Sequence, residues 1–75
     1  MNRTGFKKFA ELLESYQAKL EEAIEKKEEA LGNANDADYP NEERIAKLEE
    51  EAEVLEEIKE YLETLLESVQ NYVEM

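Results

Sequence analysis

Two long runs in this chain repeat their apolar residues at alternating steps of three and four, and that spacing constrains its fold more than any other feature. In the first run Phe6, Phe9, Leu13, Tyr16, Leu20, Ala23, Lys27 and Ala30 follow one another at steps of 3, 4, 3, 4, 3, 4 and 3. Ala10, Ile24 and Leu31 widen that seam on one side. In the second run Ile45, Leu48, Ala52, Leu55, Lys59, Leu62, Leu66, Val69 and Val73 alternate in the same way. A strand repeats every two residues, so this period belongs to helices that bury one face against another helix.

The spacing predicts a helix over 6–31, a turn over 32–41 and a second helix over 42–73. Thr4 is a plausible N-cap for the first, and Gly32 stands where a left-handed glycine would end it. The intervening GNANDADYPN is rich in turn formers, and Pro40 disfavours helical geometry at Tyr39. Asn41 followed by Glu42 and Glu43 makes a good start for the second helix, a cap with acids in its first turn. So short a connection makes the helices antiparallel neighbours. The fold class is therefore all-α: one domain over 1–75, an antiparallel two-helix hairpin resembling a coiled coil.

Two helices do not enclose a core. From Val54 onward Ile58, Tyr61, Leu65 and Tyr72 broaden the second seam to an arc of about 140°, more than one partner helix covers. The first helix would be ~39 Å long and the second ~47 to 50 Å, so Val69, Tyr72, Val73 and Met75 should overhang without an intrachain partner. Both points predict a homodimer, two hairpins forming a four-helix bundle, with Ile58, Tyr61, Leu65, Val69, Tyr72 and Val73 as the self-association residues. This layout is similar to that of small dimeric helical hairpins, among them a plasmid-encoded RNA-binding one. The resemblance is of architecture alone and carries no function. Lys27 and Lys59 interrupt the two seams. Each is read either as a long side chain snorkelling out beside a glutamate or as a device that sets register or oligomer state.

Composition narrows the chemistry. The 75 residues include no cysteine and no histidine, so thiolate, disulfide and histidine chemistry are excluded. The hydroxyls of Thr4, Ser15, Thr64, Ser68 and four tyrosines have no histidine to activate them, and no catalytic residue is expected. No metal or cofactor is expected either: di-metal bundles pair Glu with Glu-x-x-His, and NANDADYPNEE fits a calcium loop in no register. The N-terminal segment lacks the apolar core of a signal peptide, and no apolar run approaches the ~20 residues that span a bilayer. The expected location is the cytoplasm.

The net charge is −12, unevenly spread. Residues 1–31 hold seven acids and six bases, a net of −1, while residues 41–75 hold twelve acids and three bases, a net of −9. Direct nucleic-acid binding and anionic membranes are opposed by that charge. Glu49, Glu53, Glu56, Glu60, Glu63 and Glu67 form a longitudinal stripe, expected opposite the core. Four Glu–Glu pairs at i,i+4 within this helix, against one Glu43–Lys47 pair, cost ~1 to 2 kcal/mol before screening.

Two readings of the stripe stand side by side. It is a solvated face that keeps the protein dispersed, or a surface read by a basic partner. Twelve carboxylates over ~50 Å give about one per 4 Å, close to the ~3.4 Å charge spacing of a DNA strand. Small acidic proteins that phages and mobile elements use against host restriction or CRISPR machinery are similar in size and charge. That similarity implies an inhibitor of a nucleic-acid-binding protein, acting in the host cytoplasm. The primary expectation is a small, non-enzymatic protein–protein interaction module.

Overall fold

The computed structural model describes all 75 residues, and its two α-helices, α1 (Arg3–Asn35) and α2 (Glu42–Glu74), pack against each other as an antiparallel hairpin 56 × 15 × 14 Å in extent. Register is fixed by contacts along its length. Phe6 packs against Tyr72 near the open end, and Lys27 pairs with Glu51 nearer the turn.

Both boundaries of α1 lie outside the predicted ones. Asn2, not Thr4, caps the helix: its backbone is extended and its side-chain oxygen accepts from the Gly5 N–H at 2.8 Å. At the other end Gly32 has no positive φ, and the chain continues helically to Asn35. The Asp36 N–H then closes on the Gly32 carbonyl at 3.1 Å. A glycine inside a helix costs about 1 kcal/mol against alanine. The extra turn half-buries Ala34 and lengthens the packed surface, which offsets that cost. Asn41 caps α2 as expected, accepting from the Arg44 N–H at 3.1 Å.

The two helices are therefore equal, 33 residues each, and the expected overhang does not exist. Val69 is buried in a cluster with Ala10, Leu13 and Leu66, and Val73 packs against that cluster together with Phe6, Phe9 and Leu62. Tyr72 meets the Phe6 ring at 4.8 Å between centroids, tilted by 58°, while staying 45% exposed, and Met75 is 84% exposed. The overhang came from starting and ending α1 too late and too early.

All nine positions of the α2 seam, Ile45 to Val73, are buried or half-buried. In α1 the inward row is turned by one residue at alternate positions. It runs Phe6, Ala10, Leu13, Gln17, Leu20, Ile24, Lys27, Leu31 and Ala34, each buried or half-buried. Tyr16 leaves the seam and is half exposed, at 49%. Five residues in all are buried: Ala10, Leu13, Ile24, Leu66 and Val69. No helix is long and apolar enough to cross a membrane.

Candidate interaction surfaces

Each helix has two flanks beside its inward row, and one contact shows how the flanks combine. Gln70 donates to the Glu14 carboxylate across the hairpin at 2.8 Å. Gln70 belongs to the row Glu49, Glu56, Glu63, Gln70, and Glu14 to the row Lys7, Glu14, Glu21, Glu28, each stepping by seven. A cleft lined by Lys7, Ala10, Glu14, Gln70, Val73 and Glu74 lies on this same side. The two rows thus border one face of the hairpin.

That face is acidic. Glu49, Glu53, Glu56, Glu60, Glu63 and Glu67 are all exposed along it. With Gln70 touching α1, the stripe does not stand opposite the core as expected. It runs roughly 100° round from the inward row, alongside the groove between the helices. Placed there, it is joined by Glu14, Glu21 and Glu28 of α1, acids that the α2 spacing alone did not bring in.

The opposite flanks share the other face, and it is apolar. On α2, Val54 (47% exposed), Ile58 (44%), Tyr61 (69%), Leu65 (46%) and Tyr72 (45%) line it. On α1 it carries Leu12 and Tyr16, each about half exposed, with half-buried Phe9 and Ala23 beside them. Of the predicted self-association residues, Ile58, Tyr61, Leu65 and Tyr72 come together here, whereas Val69 and Val73 point into the hairpin itself. The α1 contribution was not read from sequence. Its signal is present, since Phe9, Leu12 and Tyr16 step by 3 and 4, but that row overlaps the inward one and the two compete.

Towards the turn the apolar rows give way to charge. Glu51 there accepts from the Lys27 ammonium, which emerges from the seam of α1. That hydrogen bond and the lysine's charge hold the Glu51 carboxyl below its ordinary value; partial burial opposes the shift and Lys47 adds to it slightly. Lys26 pairs with Glu22 at 3.3 Å within α1, and Lys19 lies 5.6 Å from the Tyr16 ring centre. No three acidic side chains converge on a point that could hold a metal ion.

Comparison with protein-family models, with curated proteins and with solved structures returns no significant match for this chain.

Proposed function

We propose that this protein is a non-enzymatic protein–protein interaction module of the cytoplasm whose hairpins associate in pairs, through the apolar face, into a four-helix bundle. The observation that carries this reading is the row Val54, Ile58, Tyr61, Leu65 and Tyr72, five large apolar side chains left 44% to 69% exposed at helical spacing on one face. Area supports it. The chain exposes 5925 Å², against roughly 4,800 Å² for a compact folded protein of this mass. The excess, about 1,100 Å², exceeds the ~800 Å² that each partner contributes to a standard interface. The reading also fits a chain without histidine or cysteine, whose glutamates would face outward from such a bundle.

Light scattering across a concentration series tests it. Wild type should give twice the chain mass at low micromolar concentration, and Ile58→Gln with Leu65→Gln should give a helical monomer. A stable wild-type monomer at that concentration would overturn the reading.

A second reading is favoured by the one-sided placement of acid. The stripe Glu49 to Glu67, with Glu14, Glu21 and Glu28 beside it, would occupy the basic groove of a nucleic-acid-binding protein in competition with nucleic acid. Such an inhibitor, of the kind phages and mobile elements deploy, would hold its partner less tightly as salt rises, and added DNA would displace it. Replacing Glu53, Glu56, Glu60 and Glu63 by Gln should abolish that binding while leaving helicity and mass unchanged. Binding that survives the four substitutions excludes this reading.

A further inference from the structure

On the self-association proposed above, we propose further that the second copy docks with its turn at the same end, so that α1 of each hairpin lies along α2 of the other. Two twofold arrangements bring the apolar faces together. With the symmetry axis along the bundle, the turns lie side by side and α1 stacks on α2. With the axis across it, the turns lie at opposite ends and each helix stacks on its own copy. Charge and the position of the apolar area both select the first.

The charge of the hairpin is divided by helix. Within Arg3–Asn35 seven acids and six bases leave −1, and within Glu42–Glu74 twelve acids and three bases leave −9. Opposite-end docking sets a helix of −9 on its copy along ~50 Å, at the 8–10 Å spacing of packed helices. Same-end docking sets −9 on −1 instead. It also brings Lys19 and Lys26, at the outer edge of α1, beside the edge of α2 that carries Glu50 and Glu57. Like charges set against one another oppose a docking mode, and opposite charges steer it.

The apolar area is off centre. With Phe6 level with Tyr72 and Lys27 level with Glu51, the apolar rows run from Phe9 and Tyr72 near the open end to Ala23 and Val54. Beyond that level, towards the turn, the same rows hold Lys26, Lys47 and Glu51. Same-end docking lays apolar area on apolar area over its whole length and sets small Ala23 level with Val54 of the other copy. Opposite-end docking centred on the apolar area leaves each turn end, ~15 Å of both helices, projecting past the bundle.

The chain has no cysteine, so one introduced at the exposed turn reports on orientation alone. Spin-labelled Ala37→Cys, with pulsed dipolar distance measurement and light scattering on the same sample, separates the arrangements. A dimer mass with labels within ~30 Å, about the width of a four-helix bundle plus the label arms, is the expected result. A dimer mass with labels ~50 Å or more apart, the length of a helix, would overturn same-end docking and leave self-association standing. A monomer mass with no dipolar coupling would overturn both.

Discussion

Lys27 emerges from the seam of α1 to give its ammonium to the carboxylate of Glu51 on α2, so the charge that interrupts the first seam is answered by the facing helix. Both side chains are partly exposed, 32% and 39%, so the ion pair reaches water at its outer edge. A lysine that leaves a seam beside a glutamate and a lysine that marks register describe the same contact here, because the glutamate sits on the opposite helix. The pairing is satisfied in one alignment of the helices and lost if either slides by a turn.

A pH dependence follows. Glu51 is held below its ordinary value of 4.5 in the folded protein, by the Lys27 hydrogen bond first and the lysine's charge second. A carboxyl depressed by folding contributes stability that is present above the unfolded value and is lost as pH falls through the folded one. Wild type should therefore be more resistant to urea than Glu51→Gln at pH 7. The gap should close progressively below about pH 4.5. Both proteins carry the other twenty acids, whose repulsion eases in acid alike, so the difference between their midpoints isolates this pair. A gap constant from pH 7 to pH 3 would show that the charge of Glu51 contributes nothing.

Adjacent leucines should separate folding from association. Leu66 is 7% exposed and packs with Ala10, Leu13 and Val69, whereas Leu65 is 46% exposed on the apolar face. Leu66→Ala removes a buried side chain and should cost ~2 to 4 kcal/mol, most of what a domain this small has. Its thermal transition by circular dichroism should fall steeply and lose cooperativity. Leu65→Ala should leave the helicity of dilute protein near wild type and weaken self-association in light scattering. Equal effects of the two substitutions on the thermal transition would contradict the assigned faces.

The hairpin itself was legible in the sequence because one row runs the length of α2: Ile45 to Val73 repeats throughout and all nine residues turn inward, whereas the competing row Leu55, Ile58, Leu62, Leu65, Val69 and Tyr72 is broken by Glu51 towards the turn. α1 was ambiguous, since Phe9 and Tyr16 on one side of Leu13 and Ala10 and Ile24 on the other both complete a 3–4 repeat. Packing chose the small Ala10, which lets the helices approach at the cluster with Leu66 and Val69, and left Tyr16 at the edge. Helix ends misled for a local reason, because Asn2 and Thr4 are both competent caps and Gly32 ends a helix only if it turns left-handed. The grouping of flanks into an acidic face and an apolar face depends on the mutual rotation of two helices, which no single-helix spacing contains.

The open end of the hairpin is closed by aromatic packing. Tyr72 meets Phe6 at 4.8 Å, and the Arg3 guanidinium lies 5.9 Å from the Tyr72 ring centre. Tyr72→Ala removes both contacts and should cost ~0.5 to 1.5 kcal/mol beyond the lost area. Because the contact joins both helix ends, amide hydrogen exchange should accelerate in residues 3–9 as well as 68–74, with the turn end unchanged. Acceleration confined to α2 would mean that Tyr72 does not pair with α1.

Gly32→Ala gives the sharpest test of the helix boundary, because its sign depends on where α1 ends. At a left-handed C-terminal position the added methyl group would strain the backbone and destabilise the protein. Here Gly32 lies inside the helix with no positive φ, and a Cβ built on it meets nothing within 4 Å. Alanine should then gain the full propensity difference, about 1 kcal/mol. For a domain of this size that is an increase of ~4 to 8 °C in the thermal midpoint. A fall in the midpoint would place the end of α1 at Gly32 and return the last turn, Asn33 to Asn35, to the connection.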